Sequence, residues 1–486
     1  MRTREQTPAN AAVLISIPSG ITAGTILRGG LVDRLLAAHD GVEVVIASPL
    51  VKDAAFAREF ERPRVTLEDL PPHQLEGLEA RLMALIQAGY LDSAVTESVK
   101  IRREEATRKK TVRFIRAKRL LAGLLAPSML RKPTRYDLID RLIAHRWAGD
   151  LFDRYQPALL VTSSPGLIFA EVPLLRTAVQ RGVRTIAVEP SWDNFTNKLI
   201  PVRRVDRIVV WNDIMKRQAV DLHGYAPDHV HVGGPPHWDR YFRPAPAVPR
   251  EAFFARIGAD PARRLITVTT TGKGLYAHFD RVIRVLMASI DGGQWGPSQL
   301  LVRVHPRDDL DCYAEFRGRP NLIVEKPFRT TVKSGDGLEV DVTPQSQQHL
   351  ADTLRHSDVI VTAASTIAIE ASIFDTPIVD VAFDGEAPTE FVKSVRRYYQ
   401  FTHYSNITRQ GAAPVAHTPE ELVSCVGRYL KDRSLDRDGR RRVVLDQCQF
   451  TDGNSSERLA NFVVDALADV CGWDKRRTQP ALRARA

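Results

Sequence analysis

Small, hydroxyl and acidic residues follow a predicted strand in the segment DVIVTAASTIAIEASIFDTPIV (358–379). The strand ends in a turn at Ala364, Ser365 and Thr366, and the helix that follows carries Glu370. Free amides at a helix start and nearby hydroxyls bind anions, because dipole and donors both favour negative charge. A carboxylate would repel phosphate but can accept both hydroxyls of a ribose. The segment therefore predicts a nucleotide diphosphate site, with a plain helix cap and a solvated glutamate as the alternative.

A histidine-proline pair closes a second predicted strand, LVRVHPRDD (301–309). Proline has no amide hydrogen to donate, so it stops the strand and holds His305 at its tip. A protonated or hydrogen-bonding imidazole there can stabilise a departing phosphate without a metal. We predict this role for His305 rather than a structural one. Arg303 points to the same side of the strand and is assigned to the phosphate site too, with a salt bridge as the alternative.

The turn TTTGKG (269–274) follows a third predicted strand. Gly272 would let backbone amides approach a phosphate, Thr271 offers a hydroxyl, and Lys273 adds positive charge. The G-x-x-x-x-G-K-[ST] spacing of a P-loop is absent from this turn, so a flexible interdomain turn explains it nearly as well.

A polar and aromatic segment, VEPSWDNFTNK (188–198), also lies beyond a predicted strand end. Trp192 and Asn194 suit a sugar, because an aromatic ring stacks on its apolar face and an amide binds its hydroxyls. Either Asp193 or Glu189 can deprotonate an attacking hydroxyl, and the sequence does not choose between them. The alternative is a loop of packing aromatics and helix caps.

The elements that position these segments alternate between strand and helix patterns. In the first half, short β-branched runs at 11–19, 42–50, 158–166, 183–191, 206–212 and 229–236 are separated by helix-length segments. The second half repeats the pattern with runs at 264–272, 299–306, 321–326, 358–365 and 376–383. Such alternation predicts parallel sheets covered by helices, with ligands bound at the carboxyl ends of the strands.

The chain length and a proline-rich segment near the middle of the chain predict two domains of this kind. A chain of 486 residues is too long for one core, and the proline-rich RPAPAVPR (243–250) reads as a boundary. We predict one α/β domain over 1–245 with a basic helical insertion at about 93–150, and a second α/β domain over 246–445. A C-terminal helix over 446–473 should cross back to the first domain, and the tail 474–486 should be disordered.

Composition excludes several protein classes. The four cysteines form no C-x-x-C pair, and no run of 18 apolar residues could cross a bilayer. The first apolar run breaks at Pro18 and resembles a strand more than a signal peptide, so cytoplasmic residence is expected. The sequence suggests no metal site and no cofactor.

Much of the net charge of +10 comes from one basic segment, residues 99–135. It holds thirteen lysines or arginines against Glu104 and Glu105, so the rest of the chain is close to neutral. A helix over 108–125 would place apolar residues on one face and basic residues on the other, which suits an anionic membrane surface. A helix packed on its own domain is the alternative. Nucleic-acid binding is disfavoured, since no recognised fold accompanies the charge.

These motifs together resemble those of GT-B enzymes. The 358–379 segment is similar to the donor-nucleotide motif of CDP-glycerol glycerophosphotransferases and UDP-N-acetylglucosamine 2-epimerases. The His305-Pro306 pair resembles the motif of bacterial sialyltransferases and polyol-phosphate transferases. Residues 210–241 resemble the segment that joins the domains in polysaccharide-biosynthesis members, and DGNSSER (452–458) resembles the close of CDP-glycerol transferase-like domains.

The resemblance implies a GT-B fold, in which two Rossmann-like doubly wound domains face a central cleft. The domain over 1–245 would bind the acceptor, and the domain over 246–445 would bind the nucleotide-sugar donor. Ser365 and Thr366 would then contact phosphate and Glu370 would contact ribose. It also suggests an acceptor-side loop at Ser19 and Gly20, where a tight turn between strand and helix is an equal alternative.

The function implied is transfer of a sugar from a nucleotide-sugar donor to a glycan or lipid-linked acceptor. The pathway would be bacterial surface polysaccharide synthesis (capsule, O-antigen or lipopolysaccharide), with the enzyme cytoplasmic or peripheral at the inner face of the membrane. Three alternatives stay open: CDP-polyol phosphotransfer, nucleotide-sugar epimerisation, and a non-catalytic scaffold that binds sugar nucleotides.

Overall fold

The computed structural model of this chain describes residues 10–108, 143, 145–198, 204–243, 248–333 and 340–474. Within them, two open parallel sheets are covered by helices, which confirms the predicted α/β architecture. Most of the segment predicted as a basic amphipathic helix, and all but the first residue of the tail 474–486, lie outside the described residues. No helix in the described part of the chain is long and apolar enough to cross a membrane.

The first sheet has seven parallel strands in the order β3-β2-β1-β4-β5-β6-β7. Its strand order reverses between β1 and β4, and such a switch point opens a crevice at the carboxyl ends of the strands. Its strands are β1 (Ala11–Ser16), β2 (Val42–Ala47), β3 (Val65–Glu68), β4 (Leu159–Thr162), β5 (Arg184–Val188), β6 (Arg207–Val210) and β7 (Val230–Val232).

The second sheet has six parallel strands in the order β10-β9-β8-β13-β14-β15, and a separate two-stranded ribbon pairs β11 with β12. Its order also reverses, between β8 and β13. The strands are β8 (Arg264–Thr269), β9 (Ser298–Arg303), β10 (Leu322–Glu325), β11 (Arg329–Thr330), β12 (Val340–Asp341), β13 (Val359–Thr362), β14 (Ile378–Val381) and β15 (Val415–Ala416).

The α-helices of the described residues are interspersed with the strands along the chain and are numbered in chain order. They are α1 (Gly20–Ile26), α2 (Leu31–Ala38), α3 (Ala54–Phe60), α4 (Gly77–Ser93), α5 (Glu97–Arg108), α6 (Arg146–Tyr155), α7 (Val172–Gln180), α8 (Asn194–Asn197), α9 (Asp213–His223), α10 (Asp239–Phe242), α11 (Arg250–Ile257), α12 (Phe279–Asp291), α13 (Pro344–His356), α14 (Ile367–Ile373), α15 (Ser405–Thr408), α16 (Pro419–Lys431), α17 (Arg437–Cys448) and α18 (Ser455–Cys471).

Two local features depart from the predicted helices. The helical pattern after β1 divides into α1 and α2, because Gly30 between them adopts a left-handed φ of 87°. The helical pattern after β4 becomes an α-helix only at Val172, after a short 3₁₀ turn over Phe169–Glu171. The C-terminal α18 buries Leu459, Val463 and Leu467 in the core shared with β1 and β2, so the end of the chain packs on the first sheet.

The β11-β12 ribbon ties the second half of the chain to the first. Asp341 is fully buried and receives hydrogen bonds from Arg28 at 2.7 and 2.9 Å and from Arg329 at 2.6 Å. Arg329 also contacts Asp53, the N-cap of α3, at 2.8 Å, and Arg28 contacts Glu59 at 2.8 Å. The two halves of the chain are therefore joined by a connected, largely buried charge network.

Replacing Asp341 with alanine is expected to destabilise the protein by about 3 kcal/mol, because removing one partner leaves buried guanidinium charge uncompensated. The midpoint of thermal unfolding measures the effect. The matched control is Asp311→Ala, which removes an ion pair with Arg317. The Asp311 side chain is 80% exposed, so this variant should lower the stability by less than about 1 kcal/mol. Equal midpoints for the two variants would contradict a stabilising role for the network.

Candidate functional site

Loops from both sheets meet at a cavity of about 360 Å³. The first sheet contributes the segment after β5, and the second contributes the segments after β8, β9 and β13, so the cavity lies at the carboxyl ends of strands from both sheets. Its lining residues are Arg102, Ser191, Trp192, Asp193, Asn197, Lys198, Thr271, Leu275, His305, Ala363, Ala364, Ser365, Thr366, Tyr398, Phe401 and His403.

The turn after β13 forms one wall of the cavity. Ala364 adopts a left-handed φ of 43°, which costs an alanine about 1 kcal/mol. Strained backbone positions of this kind are concentrated at active sites and ligand-binding loops. The Ser365 hydroxyl accepts a hydrogen bond from the Ile367 amide at 3.3 Å, as a helix cap does. Thr366 begins α14 without a side-chain cap bond and lines the cavity. Both predicted hydroxyls therefore lie at the cavity wall.

His305 lies at the tip of β9 on the same wall. Burial lowers its pKa to about 4 against the opposing effect of Asp308, and the positive charges of Arg307 and Lys326 add to the lowering. The ring is therefore neutral at pH 7, and of the two predicted forms only the hydrogen-bonding one applies. Nδ1 accepts the Arg307 amide at 3.1 Å, which leaves the proton of the neutral ring on Nε2. His305 can thus donate a hydrogen bond from Nε2.

The glycine of the turn after β8 is required by His305. Gly272 has a φ of 84°, and a Cβ added there would lie 3.2 Å from the imidazole Nδ1. Thr271 is buried at the cavity with its hydroxyl unpaired. The Lys273 amide donates to Asp308 at 2.8 Å, but the Lys273 side chain is exposed and absent from the cavity wall. The turn therefore places the predicted threonine at the cavity and the glycine against the His305 ring, and it leaves the lysine outside the cavity wall.

Glu370 and Arg303 lie behind the cavity wall rather than on it. Burial raises the pKa of Glu370 to about 7, although a 2.8 Å hydrogen bond from the Tyr241 hydroxyl partly opposes the shift. Arg303 is 5% exposed, lies 3.3 Å from Glu325, and stacks its guanidinium over Phe328. The salt bridge expected as the alternative for Arg303 is present. A ribose contact by Glu370 stays a prediction, and it would have to share or break the bond to Tyr241.

The two candidate bases occupy different environments. Asp193 lines the cavity and receives hydrogen bonds from Ser191 and, at 3.2 Å, from Asn197. Burial alone would raise its pKa, but Lys198, His403 and these hydrogen bonds outweigh burial and hold the pKa at about 2. Asp193 is therefore ionised at pH 7 and lines the cavity.

Glu189 is fully buried and does not line the cavity. Burial raises its pKa to about 8 despite the nearby Lys198, so the carboxyl is largely protonated at pH 7. One oxygen accepts from the side-chain amide of Asn194, and the other has no hydrogen-bond partner in the described structure. Geometry and protonation both favour Asp193 over Glu189 as the base.

The predicted acceptor-binding residues are used mainly in local structure. Trp192 lies at the cavity, packed edge-on against His403 at 5.0 Å, whereas Asn194 is buried against Glu189. Ser19 is the N-cap of α1 in a capping box with Thr22. A Cβ on Gly20 would lie 2.5 Å from the carbonyl oxygen of Val340 in the ribbon. These contacts favour the tight-turn alternative for Ser19 and Gly20, and acceptor binding there stays a prediction.

Several cavity residues were not predicted. Arg102 comes from α5, where its Nε donates to Asn197 at 2.6 Å and its guanidinium lies 6.0 Å from the Phe401 ring. His403 is buried with Nδ1 unpaired, and burial lowers its pKa to about 4. The signal for the aromatic residues was the cluster YYQFTHY (398–404). Arg102 carried no separate signal, because it is one of many basic residues in the segment 99–135, whose first helical turns pack on the cavity.

The buried Glu189 carboxyl predicts a pH dependence of stability. Its pKa is raised on folding, so the folded state holds a proton that the unfolded state releases above pH 4.5, and stability falls as pH rises towards 8. Between pH 6 and 8 the loss from this group is roughly 2 kcal/mol. Thermal unfolding at both pH values should show a smaller drop for Glu189→Gln than for wild type. An equal drop would contradict the assignment of a protonated Glu189.

Comparisons with known proteins agree with this architecture. Residues 324–465 match the model of the CDP-Glycerol:Poly(glycerophosphate) glycerophosphotransferase family. The lipid-A-disaccharide synthase of Geobacter sulfurreducens is 22% identical over 330 residues, which cover 64% of this chain and 77% of the relative.

Solved structures show the same fold at low identity. A crystal structure from Listeria monocytogenes assigned as a UDP-N-acetylglucosamine 2-epimerase superposes with a TM-score of 0.54 and 11% identity, covering 95% of this chain and 97% of the other. The S. aureus MnaA-UDP structure superposes with a TM-score of 0.50 and 12% identity, covering 94% and 97%. These likenesses, together with the two parallel sheets, confirm the predicted GT-B fold.

Proposed function

We propose that this glycosyltransferase-like GT-B protein transfers a sugar from a nucleotide donor to a hydroxyl of a glycan or lipid-linked acceptor. One observation carries the proposal: a single cavity brings an ionised carboxylate, Asp193, from the first sheet together with His305, Ser365 and Thr366 from the second. A proton acceptor on one side and hydrogen-bond donors on the other are what transfer to a hydroxyl requires.

In the proposed reaction the acceptor hydroxyl lies against Asp193 and attacks the anomeric carbon of the donor sugar. The new bond joins the acceptor oxygen to that carbon, while the bond from the carbon to the donor phosphate oxygen breaks. The hydroxyl proton passes to Asp193. A carboxylate with a pKa of about 2 is a weak base, so it accepts the proton late, after bond formation has made the hydroxyl acidic.

The leaving nucleotide phosphate gains negative charge as the bond breaks. The neutral His305 ring donates from Nε2, and the hydroxyls of Ser365 and Thr366 add donors at the same wall. Preorganised donors stabilise charge that develops in the transition state without any reorganisation during the reaction. We propose that these groups suffice and that the transfer needs no metal ion and no cofactor.

The relatives support a nucleotide-linked donor. The S. aureus neighbour was solved with UDP, and the similar lipid-A-disaccharide synthase is named for joining sugars of a lipid. On this basis we propose a role in bacterial surface polysaccharide or glycolipid synthesis, with capsule, O-antigen and lipopolysaccharide as the product classes. We also propose a cytoplasmic enzyme that contacts an anionic membrane through residues 99–135.

A second candidate is CDP-polyol phosphotransfer, because the family model that matches residues 324–465 belongs to glycerophosphotransferases. The same cavity would then activate the acceptor through Asp193, but the bond broken would lie between the two donor phosphates. Epimerisation and scaffolding rest on fold likeness alone and rank below it.

Thermal shift with a donor panel, followed by product mass, tests the proposal. UDP-, CMP-, CDP-, GDP- and dTDP-linked compounds are screened, and a ligand that binds only the folded state raises the unfolding midpoint. A shift followed by a product heavier by one glycosyl unit supports the proposal. A product heavier by a glycerophosphate unit would replace sugar transfer with phosphotransfer, and no shift with any compound would overturn the donor site.

A further inference from the structure

Two histidines and a glutamate converge at a second place in the first half of the chain, apart from the cavity. His73 lies before α4, Glu79 is in the first turn of α4, and His145 precedes α6. One nitrogen of each ring and one carboxylate oxygen all lie within 4.8 Å of one another. The two rings meet edge to face with centroids 4.9 Å apart. None of the three residues lines the candidate active site.

One ring nitrogen of each histidine in this cluster is buried without a hydrogen-bond partner in the described structure. Nε2 of His73 and Nε2 of His145 are shielded from solvent, and neither has a hydrogen-bond partner in the described structure. His73 Nε2 lies 3.5 Å from Glu79 Oε2, beyond the usual length of a hydrogen bond. Buried polar atoms without partners are uncommon in folded proteins and call for a specific cause. Because one nitrogen of each ring and one carboxylate oxygen lie within 4.8 Å of one another, a single shared ligand could contact all three side chains.

Arg176 limits which kind of ion could bind between these three side chains. Its guanidinium is almost fully buried and donates to Glu79 Oε1, so it fixes the carboxylate and leaves Oε2 next to His73. A guanidinium beside the cluster disfavours a hard cation that needs several anionic oxygens. Two imidazoles with one carboxylate are instead a ligand set that zinc takes in proteins.

We propose that His73, His145 and Glu79 bind one divalent transition-metal ion of the zinc class, with Arg176 orienting the carboxylate from behind. Tetrahedral zinc with bonds of about 2.0–2.1 Å holds its ligand atoms roughly 3.4 Å apart, so binding draws the three side chains closer together. A fourth position would be left for water.

The position of the site gives it a structural consequence. Glu79 is in the first turn of α4, and His145 is the N-cap residue of α6. A bound ion would therefore tie the N-terminal ends of α4 and α6 together. The site is independent of the proposed transfer reaction, because none of its residues lies at the cavity.

Zinc titration of the full chain after removal of metal by a chelator tests the proposal. Isothermal titration calorimetry with Zn²⁺ alone should give one site per chain, and the unfolding midpoint should rise when zinc is added. His73→Ala and His145→Ala should each weaken binding by at least about 10-fold, since each removes a ligand. The matched control is His229→Ala, which changes an exposed histidine and should bind zinc as wild type does.

X-ray absorption at the zinc edge of the wild-type protein gives a readout that does not depend on variants that fold. A first shell of nitrogen and oxygen with imidazole scattering supports the site. A sulfur shell would place the zinc on the free cysteines and overturn the proposal. So would unchanged binding in both histidine variants, or no zinc bound at all. Donor thermal shifts are measured on the same samples, so failure of the metal site and failure of the donor site are distinguishable.

Discussion

Asp193→Asn is expected to lower kcat for transfer by about 10²–10⁴-fold, which is the contribution typical of a positioned general base. The amide is nearly isosteric: its oxygen can still accept from Asn197, and its NH2 group can donate to the Ser191 hydroxyl instead of accepting from it, so the cavity should retain its shape. It cannot accept the proton of the acceptor hydroxyl. Donor affinity should change little, because the donor wall is built from the other sheet.

Steady-state kinetics with the donor found by thermal shift measures the loss, and the donor shift itself serves as the check on folding. Two comparisons sharpen the result. Asp311→Asn changes an exposed carboxylate that does not line the cavity, and it should leave kcat unchanged. Glu189→Gln replaces a largely protonated carboxyl by its neutral isostere and should retain most of the activity. If Glu189→Gln lost activity while Asp193→Asn kept it, the two roles would have to be exchanged.

Most of the two sheets was predictable, because parallel strands buried on both faces appear as unbroken apolar runs. Val359–Thr362 and Ile378–Val381 are wholly buried strands of this type. β3 was not predicted, because the edge strand VTLE is short and only partly buried, so its sequence carries polar residues. The division between α1 and α2 depends on the left-handed Gly30, and a helical periodicity alone does not show where a glycine turns the chain.

Some of the residues that line the cavity could be located from strand ends. Asp193 follows a strand of the first sheet, whereas His305 and Thr366 follow strands of the second, and the carboxyl ends of these strands border one cavity, as a cleft between two doubly wound domains requires. Arg102 and His403 reach the same cavity from α5 and from a segment outside the regular strands, and their approach depends on tertiary packing.

The burial and the hydrogen-bond partners of Glu370 and Arg303 could not be predicted from the sequence. Periodicity specifies which side of an element a residue faces, and it does not specify how deep below the surface of the protein that residue lies. Both side chains are buried behind the wall, each with a protein partner that no local pattern announces: Tyr241 for Glu370 and Glu325 for Arg303. Long-range pairs of this kind can be read only from the folded chain.

His305→Ala is expected to lower kcat by about 10²–10³-fold, the loss seen when one preorganised donor to a developing negative charge is removed. The reason is specific to the tautomer. Nδ1 is occupied by the Arg307 amide, so the proton of the neutral ring lies on Nε2, and this N–H is what the variant loses. The effect should fall on kcat more than on KM, because the donor phosphate carries its extra charge only in the transition state.

The pH profile separates a neutral donor from a cation. With a pKa near 4, a required imidazolium would make activity fall as pH rises above that value, so that little remained at pH 7. A neutral donor predicts instead that the contribution of His305, measured as the ratio of wild-type to His305→Ala kcat, stays constant from pH 6 to 8. His229→Ala, an exposed histidine, should match wild type throughout. A ratio that fell steeply with rising pH would show that the protonated ring acts, and a ratio near one would remove His305 from the reaction.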